Sequence, residues 1–298
     1  MLQKFDERNN NIQVFIKDQL YPREKAKVSV FDSSVQGGDA VWEGLRVYPE
    51  GIVCLEKHLT RLHESAKALH FSDIPSKNEI KAAIEKTLEA NEMTDDVHIR
   101  LTLTRGEKIT SGMDPRVNQS GPCLIVLAEW KALVYDNASG IKVISSSQRR
   151  NAPQFLDSKI HHNNLLNNII AKIQANVAGK DAGLMLDERG FVAELNGSNL
   201  FMVKDGVVYT PFAHACLPGI TRGTVIEMCR KNTIPIVEAD ISLTQFYNAD
   251  GVFATGTMGE LTPVVEIDGR IIDRNDATQQ RVLTLFSDNI RSYCEPLK

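Results

Sequence analysis

The first third of the chain mixes segments of strand and helix periodicity. Short runs with apolar alternation predict strands at Gln13–Ile16 and Lys27–Phe31, on either side of the turn-rich segment Tyr21–Arg23. Two further runs, Leu45–Tyr48 and Ile52–Cys54, flank a Pro-Glu-Gly sequence. That arrangement is typical of a β-hairpin.

Two amphipathic helices are predicted after the hairpin. Apolar residues recur at steps of three and four residues from Leu55 to Leu69, which is the period of a helix that buries one face. A second apolar face runs from Ile80 to Leu88, and Ser76 is a plausible N-cap for that helix. Strand-like runs follow at 98–105 and 123–129.

The second half of the chain repeats short strands with helices between them. The predicted strands are Ile141–Ser146, Gly183–Leu186, Phe191–Glu194, Leu200–Val203, Val207–Tyr209 and Val252–Thr255. The predicted helices run from Asn164 to Ala178 with Gly179 as a stop, from Thr221 onward, and around Gln279–Tyr293. Short strands in meanders with interspersed helices favour an α+β fold over a doubly wound parallel sheet. We predict a small N-terminal α+β domain over residues 1–129, a loop over 130–140 and a larger domain over 141–298.

Composition narrows the class of protein. The 298 residues are 42% hydrophobic and 24% charged, with a net charge of -4 and no basic stripe, so nucleic acid is not an expected partner. No run approaches the roughly 20 apolar residues that cross a bilayer, and Met1–Asn11 lacks the apolar core of a signal peptide. Five widely spaced cysteines predict neither a disulfide framework nor a zinc site. We therefore expect a cytoplasmic protein that binds neither membrane nor metal.

Two turns have the residues of an anion site. Leu217–Arg222 is a sharp turn that runs into a helix, and Thr221 is its natural N-cap. Thr255–Thr257 ends a strand with two hydroxyl groups. Free N–H groups at a helix start bind phosphate, so together the turns predict a phosphate site. Each turn taken alone is more often an ordinary cap.

Several charged residues have two interpretations. In isolation, Glu194 is more simply an exposed strand residue, and Arg61 is more simply the solvated edge of a helix. Arg100 and Arg105 each fit a carboxylate ligand or a surface charge, and nothing in the periodicity distinguishes Lys159. The residues alone indicate a phosphate-binding α+β enzyme.

The adjacent residues His161 and His162 do not have the spacing of a metal pair on a helix. We interpret them as local polar contacts.

Six motifs, in this order, resemble the class IV aminotransferases, which are the fold type IV enzymes of pyridoxal 5'-phosphate (PLP). The resemblance runs from about Val30 to Arg270. The motifs are Trp42–Arg46, Arg61–Lys67, Lys159, Glu194 with Asn199–Phe201, Leu217–Arg222, and Gly256–Thr257 with Glu260–Pro263.

The resemblance implies a role for each cofactor-binding residue. Lys159 would be the catalytic lysine and would carry PLP as a Schiff base, while Glu194 would keep the pyridine nitrogen protonated. Asn164 stands where the family commonly has a tyrosine bonded to the cofactor's 3′ oxygen. The implied phosphate ligands are Arg61, the backbone N–H groups of Ile220 and Thr221, and the hydroxyl groups of Thr221 and Thr257.

The substrate side resembles branched-chain aminotransferases. Arg100 stands where they place an arginine near the substrate carboxylate, Trp42 where they place an aromatic wall, and Thr257 with Met258 borders the carboxylate end. Gln36 and His98 replace usual tyrosines. These departures make the pocket more polar and leave the choice of substrate open.

The expected activity is transamination of an aliphatic or branched-chain amino acid. The acceptor would be 2-oxoglutarate, with ping-pong exchange through pyridoxamine phosphate in a homodimer. The alternatives are a D-amino-acid or (R)-amine transaminase, aminodeoxychorismate lyase, and a non-catalytic binding protein.

Overall fold

The computed structural model describes residues 4–297, and it contains seven α-helices and sixteen strands in that range. The helices are α1 (Ser33–Gly37), α2 (Leu55–Ala68), α3 (Lys77–Ala90), α4 (Leu166–Val177), α5 (Ile220–Lys231), α6 (Leu243–Tyr247) and α7 (Ala277–Asn289). The strands are β1 (Gln13–Ile16), β2 (Gln19–Pro22), β3 (Ala40–Tyr48), β4 (Gly51–Val53), β5 (Val97–Thr104), β6 (Cys123–Trp130), β7 (Ile141–Ser145), β8 (Ala182–Leu186), β9 (Val192–Leu195), β10 (Asn199–Lys204), β11 (Val207–Pro211), β12 (Ile236–Ala239), β13 (Gly251–Gly256), β14 (Glu260–Ile267), β15 (Arg270–Ile271) and β16 (Cys294–Glu295).

The chain forms two compact units. The N-terminal unit consists of the described residues up to Ala132, the segment Ile160–Asn164 and the residues from Arg291 onward. The C-terminal unit consists of Leu133–Lys159 and Leu165–Ile290.

The N-terminal unit is built on one antiparallel sheet of seven strands, in the order β16-β4-β3-β5-β6-β1-β2. Its long central strands, β3 and β5, are paired from Ala40↔Thr104 to Val47↔Val97. Because strand side chains alternate between faces, Val41, Leu45 and Val47 all point to one face, where the apolar stripes of α2 and α3 form the core. A capping box between Ser76 and Glu79 starts α3.

The C-terminal unit contains a mixed sheet of nine strands, in the order β12-β11-β10-β13-β14-β7-β8-β9, with β15 paired to β14. Strands β11 and β12, β14 and β7, and β7 and β8 are parallel, and the other pairs are antiparallel. Two mostly antiparallel sheets with interspersed helices confirm the predicted α+β class. No helix in the described part of the chain has the length and apolar character needed to cross a membrane.

Three local predictions are wrong. Lys27–Phe31 is not a strand, because it has no strand partner for its backbone, and Val30 is 71% exposed. Tyr21 and Pro22 lie in strand β2 and not in a turn. Gly219, not Thr221, is the N-cap of α5, so this helix start has no side-chain cap hydrogen bond.

Candidate functional site

Glu194, on strand β9, is a buried carboxylate in the C-terminal unit. Its Oε1 accepts a hydrogen bond from Arg150 Nε at 2.7 Å, and its Oε2 accepts one from Asn199 Nδ2 at 3.2 Å. Burial raises the pKa of Glu194 to about 6, although the charge of Arg150 and the backbone N–H of Leu217 oppose that rise. The interpretation of Glu194 as an exposed strand residue is therefore wrong.

Arg150 holds Glu194 in place from the other side. Its Nη1 also donates to Asn167 Oδ1 at 2.7 Å and to Asn168 Oδ1 at 3.3 Å, both near the start of α4. A buried ion pair that belongs to a larger hydrogen-bond network keeps its geometry. Arg150 was not predicted from the sequence, since an arginine in a loop has no local sign of burial.

The turn at the start of α5 lies against Glu194. Asn199 Nδ2 donates to the carbonyl oxygen of Leu217 at 2.9 Å, and the first bond of the helix joins the N–H of Gly223 to the carbonyl of Gly219. The N–H groups of Ile220 and Thr221, in the first turn, have no acceptor within the helix. This end of α5 can therefore bind an anion beside the carboxylate.

The Thr255–Thr257 turn is close to the same place. Antiparallel pairing of β10 with β13 puts Thr255 opposite Asn199. The Thr255 hydroxyl oxygen is buried and has no hydrogen-bond partner among the described residues. Thr257 and Met258 follow β13 in a turn that is half-buried, and the carbonyl of Met258 accepts from the N–H of Val134.

Lys159 is exposed at the end of a C-terminal-unit segment. Its Nζ lies 3.3 Å from Asp157 Oδ1. Its charge also acts on the buried thiol of Cys216. Burial and the Glu194 carboxylate raise the pKa of this thiol to about 12, while the charges of Arg222, Arg150 and Lys159 oppose the rise. Lys159 and Glu194 thus both act on the thiol of Cys216, which precedes the turn at the start of α5.

Glu43 organises a buried polar cluster in the N-terminal unit. The carboxylate is fully buried, and it accepts bonds from Arg61 Nε at 2.8 Å, Arg61 Nη2 at 2.7 Å, His58 Nδ1 at 2.7 Å and His161 Nδ1 at 3.2 Å. Burial opposes ionisation, but the bonds from His161, Arg61 and His58 hold the pKa of Glu43 well below its usual range. Arg61 is therefore not the solvated helix edge that its position alone favoured.

His161 also contacts the predicted aromatic wall. Its ring centroid lies 4.0 Å from that of Trp42, and burial lowers the pKa of His161 to about 4. The interpretation of His161 as a local polar contact agrees with these distances.

Arg100 is a partly buried cation with an unusual set of neighbours. Its guanidinium lies 3.4 Å from the ring centroid of Trp42, and its Nη2 donates to Asn163 Oδ1 at 2.6 Å. Burial lowers the pKa of Arg100 to about 10, although the charge of Glu43 opposes the fall. The other described arginines that are not exposed, namely Arg46, Arg61, Arg105, Arg150 and Arg222, each pair with a carboxylate. Arg100 has no such ion-pair partner among the described residues, so its charge is available to an anion from outside the chain.

His98 lies on the same face of the sheet as Arg100 and Trp42, two residues before Arg100. Its Nδ1 donates to the carbonyl of Leu45 at 3.1 Å, and burial lowers its pKa to about 3, so the ring is neutral with Nε2 as an acceptor. A Cβ on Gly44 would lie 3.1 Å from this ring, so the glycine leaves room for His98 and Trp42.

The two other predicted residues of the N-terminal unit are exposed. Gln36 Nε2 donates to the carbonyl of Val30 at 3.2 Å. Asn164 packs beside Gly38, where a Cβ would lie 3.6 Å from its Cα. Among the described residues, neither Gln36 nor Asn164 forms a hydrogen bond with Arg100.

Known proteins share this architecture. The family model described as amino-transferase class IV matches residues 40–267. Branched-chain-amino-acid aminotransferase-like protein 2 of Arabidopsis thaliana is 58% identical over 264 residues, which cover 89% of this chain and 47% of that protein. The chain thus spans about half the length of this plant relative.

Full-length similarity is seen with other proteins. A putative branched-chain-amino-acid aminotransferase of Methanocaldococcus jannaschii is 39% identical over 264 residues, 88% of this chain and 90% of that protein. The crystal structure of a branched-chain aminotransferase from the thermophilic archaeon Thermoproteus uzoniensis with norvaline superposes with a TM-score of 0.88 and 30% identity, covering 96% of this chain and 96% of that chain.

Proposed function

Because the chain belongs to the class IV aminotransferase family and has its fold, we propose that it is a PLP-dependent aminotransferase of aliphatic amino acids. The observation that carries the proposal is in the C-terminal unit. There a buried carboxylate, Glu194, lies beside the anion-binding start of α5, and Asn199 bonds to both. A cofactor with a cationic ring nitrogen and a phosphate needs such a pair of groups.

The residues of the C-terminal unit fit PLP. The first-turn N–H groups of α5 have no helical acceptor, and the buried hydroxyl of Thr255 has no partner in the described part of the chain, so both can bind to phosphate oxygens or to water that bridges to them. The Glu194 carboxylate can accept the N–H of a pyridinium. We assign cofactor binding to Lys159, Glu194, Ile220, Thr221 and Thr257, and we retain Arg61 and Asn164 as proposed ligands of the phosphate and of the 3′ oxygen.

The proposed mechanism divides the chemistry between cofactor and protein. When bound, PLP supplies an electrophilic carbonyl carbon and a ring that accepts electrons. Glu194 holds the proton on the ring nitrogen, because a carboxylate stabilises the protonated form. Lys159 would hold the cofactor, and its Nζ would take the proton from the substrate Cα, which would require the amine to leave Asp157.

The proposed substrate class, amino acids, follows from Arg100. A guanidinium without a carboxylate partner, fixed on Trp42, binds the carboxylate of an amino acid through charge-assisted hydrogen bonds. This favours amino acids over simple (R)-amines. The names of the relatives support a branched-chain donor, and 2-oxoglutarate as the acceptor in ping-pong exchange is part of the same proposal.

We also propose a homodimer. One side of α4 carries five exposed apolar residues at helical spacing, Leu166, Ile169, Ile170, Ile173 and Val177. A second copy of the chain would remove this stripe from water.

The test is chemical trapping of the cofactor on its lysine. The protein is incubated with PLP and reduced with borohydride, and the labelled peptide is identified by mass spectrometry. We expect the label on Lys159 and its loss, with all activity, in Lys159→Ala. Lys204→Ala is the matched control, because Lys204 is also a half-exposed lysine paired with an aspartate. Labelling at another lysine, or turnover by Lys159→Ala, would refute the proposal.

A further inference from the structure

We propose that Asn199 is a positioning residue that ties the Glu194 carboxylate to the turn at the start of α5. It would thereby set the distance between the groups that bind the pyridine nitrogen and the phosphate. The inference rests on the proposed function, because it gives Asn199 a task at the same cofactor. It adds a residue to which the family resemblance assigns no role.

The amide of Asn199 has only one orientation compatible with its neighbours. Its Nδ2 donates to Glu194 Oε2 at 3.2 Å and to the carbonyl oxygen of Leu217 at 2.9 Å. Both neighbours are acceptors, so only the NH₂ group satisfies them. The backbone of Leu217 also lowers the pKa of Glu194, so the three residues influence one another.

The oxygen of the Asn199 amide packs against the turn at Gly219. A Cβ built on Gly219 would lie 2.1 Å from Asn199 Oδ1, so any larger residue at that position would displace the amide of Asn199. The φ of Gly219 is -60°, which any residue adopts, and the glycine is therefore required by space and not by backbone conformation. The turn packs directly on Asn199.

The pairing of β10 with β13 fixes the backbone of Asn199. It is the first residue of β10, and its Cα partner on β13 is Thr255, whose buried hydroxyl has no acceptor or donor among the residues that the structure describes. The side chain is itself buried. The amide of Asn199 therefore joins the carboxylate to the helix start, and a shift of the amide would change both.

Removal of the amide has two separable effects. Asn199 Nδ2 donates to Glu194 Oε2, and a donor favours the ionised form of a carboxyl, so its loss should raise the pKa of Glu194. The carbonyl of Leu217 also loses its donor, which loosens the phosphate turn. A net loss typical of a bond to a charged group corresponds to roughly a tenfold or greater weakening of PLP binding.

The experiment compares Asn199→Ala and Asn199→Asp with wild type and with Asn248→Ala. Asn248 is an exposed helix-capping asparagine in the same unit, and its side-chain amide donates to the carbonyl of Thr244. The carboxyl of Glu194 is titrated in the apoprotein by infrared difference spectroscopy and assigned by its absence in Glu194→Gln. The dissociation constants of PLP and of phosphate-free pyridoxal are measured on the same samples.

We expect the pKa of Glu194 to rise from wild type to Asn199→Ala and further in Asn199→Asp, which keeps the shape but replaces the donor by a second negative charge. PLP should bind about tenfold more weakly to both, with a smaller loss for pyridoxal, and Asn248→Ala should match wild type. An unchanged pKa of Glu194 in either folded variant would overturn the inference. Failure of wild type to bind PLP, with the pKa order intact, would instead refute the proposed function.

Discussion

Replacement of Arg100 by methionine should separate the stability of the protein from its use of substrate. The guanidinium has a ring and an amide oxygen as neighbours, and no carboxylate ion-pair partner among the described residues. Methionine keeps an unbranched apolar stem of similar reach and removes the charge. The free energy of unfolding should change little, but the proposed substrate loses the group that binds its carboxylate.

The magnitude follows from the pKa of Arg100. Each tenfold change in acidity corresponds to about 1.4 kcal/mol, so a fall of the Arg100 pKa from its usual value to about 10 means that the folded state disfavours the charge by about 3 kcal/mol, after the attraction of Glu43 is included. The stacking on Trp42 offsets about 1–2 kcal/mol of this, and the bond to Asn163 about as much. Arg100→Met should therefore leave the free energy of unfolding within about 1 kcal/mol of wild type.

The matched control is Arg105→Met. Arg105 follows directly after strand β5 and lies 4.3 Å from the ring centroid of Phe71, but its guanidinium binds both oxygens of Asp39. Its loss leaves a half-buried carboxylate without its cation, and we expect a destabilisation of about 2–3 kcal/mol.

The assay is urea unfolding of the three apoproteins, together with the KM for an amino acid in the holoenzymes. We expect Arg100→Met to unfold near the wild-type midpoint and to raise KM by roughly 10–100-fold, since a charge-assisted bond contributes about 1.5–3 kcal/mol. Destabilisation equal to that of Arg105→Met, or an unchanged KM, would refute the reasoning.

Two further predictions concern the histidines and the α5 turn. His98 and His161 have folded pKa values of about 3 and about 4, below the roughly 6.5 of an unfolded histidine, so the unfolded state binds more protons and stability should fall as pH drops from about 6.5 towards 4. Urea midpoints across this range test it, and His98→Gln should flatten the profile; a profile identical to wild type would contradict the assignment. Gly219→Ala should lower PLP affinity at least about tenfold, because its Cβ would overlap the amide of Asn199, and equilibrium dialysis that shows wild-type affinity would disprove the packing argument.

Helices with local signals were predictable from sequence. The apolar stripe from Leu55 places α2 to within one residue, and Ser76 caps α3 as predicted. In both cases the decisive interactions join residues three or four positions apart, so a single segment contains them.

Elements that depend on distant partners were not predictable. Lys27–Phe31 has strand-like alternation, but no neighbouring strand receives its hydrogen bonds. Thr221 is a favourable N-cap by residue type, yet the packing of Asn199 on the turn makes Gly219 the cap. A pattern within one segment contains no information about what lies opposite it.

The residues of the site also divide into those that the sequence identified and those that it did not. The motifs single out Glu194, Arg61 and Asn199, but they do not show that Asn199 bonds to Glu194. Arg150 was not identified because 44 positions separate it from Glu194 along the chain. Glu43, inside one of the motifs, was not identified as the centre of a cluster. A charged residue within the buried run 43–48 was the available signal, since such a group requires cationic partners.

The most direct test of the central claim is an absorbance titration of the PLP-loaded protein with L-leucine, D-alanine and (R)-1-phenylethylamine, each added separately. The proposed function predicts that L-leucine alone bleaches the cofactor's visible band and that 2-oxoglutarate restores it. Bleaching by D-alanine or the amine but not by L-leucine would overturn the substrate assignment, and no bleaching by any of the three would contradict the proposed transamination itself.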